Sequence, residues 1–178
     1  PTLSPSAHQS DTVARPAPFV TAVTVPSNGN YVAGQNLDFT TTFNESVEVT
    51  GTPRIAVTLD TGGTVYATYL SGSGTGTLTF RETVAPGQQD LTGIVTGTAI
   101  DLNGGAIKDT AAHNAGLTLT GEPSTASIDV DGIVPAVSTV TVPANGTYGI
   151  GQDLDFTVDF TKTVIVNAGG GTPYIDVT

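Results

Sequence analysis

The sequence predicts an all-β protein: an antiparallel β-sandwich in tandem repeats, the second repeat truncated. Three observations predict it. The composition is that of strands and turns, with Thr, Val and 22 glycines prominent and the good helix formers Lys and Glu sparse. Short runs alternate apolar and polar residues with a period of two, and turn residues interrupt them at intervals of about ten residues. One stretch occurs twice, as V-P-S-N-G-N-Y-V-A-G-Q-N-L-D-F-T-T-T-F from Val25 to Phe43 and as V-P-A-N-G-T-Y-G-I-G-Q-D-L-D-F-T-V-D-F from Val142 to Phe160, a constant offset of 117 residues.

The duplication sets the domain organisation. Val47 and Val49 pair with Val164 and Val166, and Gly51-Thr52-Pro53 then pairs with Gly171-Thr172-Pro173 at an offset of 120, so the second copy carries three extra residues in its Asn167–Gly171 turn. We expect a linker or tail over 1–18, a complete repeat over 19–134 and the N-terminal part of a second over 135–178. A unit of roughly a hundred residues is domain-sized, whereas a solenoid repeat is much shorter.

Taken in order, Pro1–Pro18 is rich in Pro, Ser and Ala without periodicity. Val20–Val25 reads as a first strand and Ser27–Asn30 as a turn, Asn-Gly supplying its special backbone angles. Gln35–Phe43 is the clearest strand, with Leu37, Phe39, Thr41 and Phe43 on one face and Asp38, Thr40 and Thr42 on the other. Val47 and Val49 begin a further short strand. Arg54–Leu59 and Thr64–Leu70 flank the hairpin turn Asp60–Gly63. Thr77–Val84 follows a glycine-rich connection. In that strand Glu82 falls on the apolar parity, and we read it as a solvated strand end, because an unpaired buried carboxylate is costly. Ala85–Thr92 reads as a loop. Ile94–Leu102, Ala106–Lys108, Leu117–Leu119 and Ala126–Val130 supply the remaining strand material, joined by Greek-key connections.

Sixteen acidic residues against five basic ones give a net charge of −11. Such a chain repels nucleic acid and anionic membranes, whose recognition needs clustered Lys and Arg. With no cysteine there is neither a disulfide nor a thiolate metal site. No run is apolar enough for a membrane-spanning helix, and no membrane insertion is expected.

Several segments resemble a known family. Leu37–Val47 (L-D-F-T-T-T-F-N-E-S-V) is similar to the "ftvtFsEpV" strand of bacterial Ig-like (Big-type) repeats. Gly63–Tyr69 and Gly76–Arg81 resemble the strands that follow it, Asp101–Ala115 the "LNGGTIkDaAGNdA" segment, and Asp129–Pro135 the "vDttaP" linker. The resemblance covers about Val20 to Thr178. It implies an Ig-like sandwich in the tandem repeats of large secreted bacterial surface adhesins, with a non-enzymatic spacer role in cell adhesion or biofilm at the cell surface. The sequence departs from the pattern at His113, where the family has Gly, at Lys162, where the first repeat has Glu45, and at Ala14-Arg15, where the second linker has Asp131-Gly132.

Calcium is the one cofactor the residues suggest, because hard oxygen ligands suit it. Glu45, Asp109 and Asn114 are the candidate ligands at the incoming joint, and Asp129 and Asp131 those at the outgoing one. Related repeats stiffen such joints with metal, and Arg15 and Lys162 argue against a full site at either. The competing reading is turn-forming Asp and Asn with solvated acids. Nothing marks a nucleophile for His8 or His113 to activate. The glycine runs lack the lysine and helix of a phosphate loop. Asp153 and Asp155 sit on a solvent parity, with no cleft to make them a glycosidase pair. Tyr31, Tyr66, Tyr69, Tyr148 and Tyr174 are candidates for stacking on sugars, with core and edge packing as the simpler role. The expected partners are neighbouring repeats, other copies through strand exchange, or a surface glycan. The alternatives to a spacer are a strand-exchanged fibre subunit and a carbohydrate-binding accessory module.

Overall fold

A computed structural model describes residues 15–177. The proline-rich tail up to residue 14, with His8, lies outside the described residues, as does Thr178. The elements are β1 (Val20–Thr24), β2 (Gly29–Val32), β3 (Asn36–Thr50), β4 (Arg54–Leu59), β5 (Gly63–Ser71), β6 (Thr75–Thr83), β7 (Gln89–Asp90), β8 (Val95–Asp101), β9 (Ala106–Lys108), β10 (Ile128–Asp131), β11 (Val137–Thr141), β12 (Thr157–Phe160) and one 3₁₀ turn, Ala168–Gly170.

The chain is all-β. A large sheet runs β1-β3-β6-β5-β4-β8, with β9 added to β3, and a smaller one runs β2-β10-β7. Both contribute to one core. Leu37, Phe39, Leu78, Phe80, Ile55 and Val57 enter it from the large sheet, and Ile128 and Val130 from the small one. All are buried on the inward parity of their strands, as a period of two requires.

Four elements differ from the sequence expectation, and the simplest is Leu117–Leu119, which forms no strand and pairs only through a bridge from Thr118 to Ala99. β3 is one strand of 15 residues, so Val47 and Val49 continue it instead of opening another. Its ladder to β6 is interrupted between Thr42 and Val47, and beyond that irregularity Glu48–Thr50 pair with β9. A bulge of this kind re-aims a strand without ending it. The expected turn at Ser27–Asn30 runs into β2, which pairs in parallel with β10 (Gly29 opposite Ile128, Val32 opposite Asp131). Within the expected loop Ala85–Thr92, Gln89 and Asp90 pair with β10. Both of these pairings join segments far apart in sequence, which local periodicity does not register.

The second unit reproduces the opening of the first. β1 pairs with β3 through Val20–Phe43, Ala22–Thr42, Val23–Thr41 and Thr24–Thr40, with an irregularity after Val20. β11 pairs with β12 through Val137–Phe160, Thr139–Asp159, Val140–Val158 and Thr141–Thr157, with the same irregularity after Val137. Tyr31 donates its hydroxyl to the Ser27 carbonyl at 2.9 Å, and Tyr148 to that of Ala144 at 2.6 Å. The burial differs. Val20 is 3% exposed and Val137 54%, while Phe43 is 4% and Phe160 41%.

Candidate functional site

The predicted ligands fall at the two ends of the first unit. At the incoming end, Phe19 bridges to Gly116, and Asn114 pairs across its loop with Lys108, itself opposite Glu48 of β3. This topology brings Glu45, Asp109 and Asn114 to the end where the linker enters. At the other end β10 carries Asp129 and Asp131 alongside Asn30 and Val32 of β2.

Asp109 is a loop organiser. Its buried carboxylate accepts from the Ala111 and His113 backbone N–H groups through Oδ1, at 2.9 and 2.8 Å, and meets Nδ1 of His113 through Oδ2 at 2.8 Å. Burial pushes this carboxyl up, but the His113 ring, the two backbone donors and the His113 charge outweigh it and hold the group below the ordinary carboxylate range. The turn puts Ala112 in left-handed backbone, which the N–H groups ringing Asp109 support. His113 thus orients a turn, and both oxygens of Asp109 already have partners.

The side chain of Glu45 is only 8% exposed, and the Arg15 guanidinium lies 2.5 Å from Oε2. That oxygen accepts no well-directed hydrogen bond, so the contact is one of charge. At the far end Asp131 meets Lys162 of the second unit through Oδ2 and Gln89 through Oδ1 at 3.3 Å. Lys162 also donates to the Ile133 carbonyl at 3.1 Å. The Lys162 ammonium chiefly, opposed by burial and aided by Gln89, holds the Asp131 carboxyl below its ordinary value. Asp129 is half-buried in β10, and Asn114 is exposed. Among the described residues no three His, Asp or Glu side chains gather closely enough to hold a metal ion.

Two further ion pairs escaped the sequence reading. Asp38 forms a two-pronged pair with Arg81, both distances 2.6 Å, across the β3–β6 ladder. Arg54 binds Asp101 at 2.8 Å and stacks over Tyr66 at 3.8 Å, tying β4 to β5 and β8. Opposed positions in the register were the available signal, and only the strand order supplies the register. Tyr69 packs edge-on against Phe80 and accepts from Ser73 N–H, Tyr31 and Tyr148 bond their own turns, and Tyr174 is exposed. Glu82 corrects the expectation of a solvated end. It is half-buried, burial raises its carboxyl, and the Gln88 amide at 3.1 Å offsets part of that.

No protein-family model, curated protein or solved structure matches this chain. No helix among the described residues is long and apolar enough to cross a membrane.

Proposed function

We propose that the chain is a structural spacer from a large secreted bacterial surface adhesin, a non-enzymatic string of β-sandwich repeats that projects a binding region or builds a surface layer. One observation carries this reading. The second unit repeats the first in strand register and turn bonding, while the charged side chain at the joint changes from Glu45 to Lys162. The repeat therefore keeps its scaffold and not a chemical group, as selection for length and stiffness would have it. Chains extended by further copies of the unit should lengthen by a constant increment per copy in small-angle scattering. A particle that stays compact as copies are added would count against the spacer.

A second reading is a surface-fibre subunit assembled by strand exchange. Its physical basis is that strand edges left without a neighbour recruit other strands. Light scattering at rising concentration separates the two readings, because a strict monomer removes the fibre.

A further inference from the structure

The two joints are built alike. Phe19 N–H donates to Asn44 Oδ1 at 2.7 Å, and Asn44 N–H donates back to the Phe19 carbonyl at 3.1 Å. At positions shifted by 117, Ala136 N–H donates to Thr161 Oγ1 at 3.0 Å, and Thr161 N–H returns to the Ala136 carbonyl at 2.8 Å. The same ring of two bonds fastens each incoming linker to its unit. The next residue in each unit, Glu45 or Lys162, turns back onto the linker that has just entered and meets a charge there. In the first joint the linker supplies the cation, Arg15, and the unit the anion. In the second the last residue of β10, where the outgoing linker begins, supplies the anion, Asp131, and the entered unit the cation.

Both carboxylates are largely withdrawn from water, Glu45 more than Asp131. A carboxylate withdrawn from water favours a counter-charge beside it. A divalent ion at either joint would have to share carboxylate oxygens with an ammonium or guanidinium already in contact with them, and mutual repulsion opposes that. The residues present therefore do not fit the calcium site expected at these joints. At the second joint the linker crosses an open groove of about 400 Å³ lined by Val32, Ala33, Ile133 and Thr163, in which Asp131 and Lys162 are the charged groups.

We infer that each joint is locked by a protein-borne cation in place of a divalent metal, and that the reversed polarity of successive joints makes each unit accept only a linker of opposite charge. The surface around Lys162 then selects an acidic linker and the surface around Glu45 a basic one.

The test uses the whole chain, with protease attack on linker residues 132–135 and NMR relaxation of the two units as readouts. Wild-type protein should be cleaved at one rate in calcium and in EDTA. Lys162→Glu, which sets a carboxylate against Asp131, should raise linker cleavage about tenfold, the effect of losing about 1.4 kcal/mol of pairing. Calcium should restore protection to that variant, since two facing carboxylates recruit a hard cation. Adding Asp131→Lys to it, which gives the second joint the polarity of the first, should restore protection without metal. The ring-current-shifted methyl signals of the first unit's core check that each variant is folded, and Lys162→Met, which removes the cation without adding repulsion, stands in if Lys162→Glu is not. Wild-type protection that collapses in EDTA, or a doubly reversed joint as loose as Lys162→Glu, would overturn the proposal.

Discussion

Thr41 sits on the core face of β3 with its hydroxyl buried and unpartnered. A buried hydroxyl without a partner costs about 1–3 kcal/mol, and an apolar group of the same shape removes that cost. The second unit places Val158 at the matching position. Thr41→Val should therefore stabilise the first unit by about 1 kcal/mol, read as a higher urea midpoint with an unchanged slope. Glu82 pays a related cost in charge. Because burial raises its folded carboxyl, the ionised form weakens the fold at neutral pH, and the penalty fades as pH falls and the group protonates. Glu82→Gln should raise the melting midpoint at pH 7 and lose that advantage near pH 4. A gain equal at both values would assign the effect to packing.

At the scale of elements, β3 shows what was legible and what was not. The alternation of Leu37, Phe39, Thr41 and Phe43 announced a half-buried strand, and the structure buries all four. The break at Asn44–Ser46 resembled a strand end because polar residues interrupt the pattern there, whereas the backbone crosses it as an irregularity and pairs onward with β9. The parallel pairing of β2 with β10 left no local trace, since the two are separated by the whole of the first unit. The Asp109 loop stood out as oxygen-rich, yet residue types alone did not show that backbone N–H groups and His113 already use those oxygens. Arg15 and Lys162 were visible as departures from a pattern, and only the fold shows that each faces a carboxylate. Burial predicts how matched strands differ in sensitivity. Leu37→Ala, at a fully buried site, should cost about 2–5 kcal/mol, whereas Leu154→Ala, at its exposed counterpart, should stay within about 0.5 kcal/mol. Denaturant titration of both variants checks this, and equal losses would mean that Leu154 is buried in solution.

For the whole molecule, acid is the revealing variable. Asp38 is held below its ordinary carboxyl value chiefly by the hydrogen bonds of Arg81, Asp101 by the Asn103 backbone N–H and Arg54, and Asp131 chiefly by Lys162. Asp109 shares the direction, its partners outweighing burial. A carboxyl lowered by folding stabilises the native state above its unfolded value, and that contribution is lost as pH falls through the folded one. The melting midpoint should accordingly change little between pH 7 and about 5 and drop steeply below about 4. A midpoint that rises below pH 4 would show that relief of repulsion within a chain of charge −11 outweighs the pairs.

The parallel seam between β2 and β10 bears on how the molecule responds to tension. β2 follows directly on the strand that receives the incoming linker, and β10 leads directly into the outgoing one. Traction on the two linkers would draw these strands past each other along their lengths. Their backbone bonds are then loaded together in shear, and none can open like a zipper from one end. Traction from the incoming linker reaches the β1–β3 ladder first, and the seam takes the load once that ladder has yielded. The short piece of sheet that sequence alone hid would share that load with the ladder between β1 and β3.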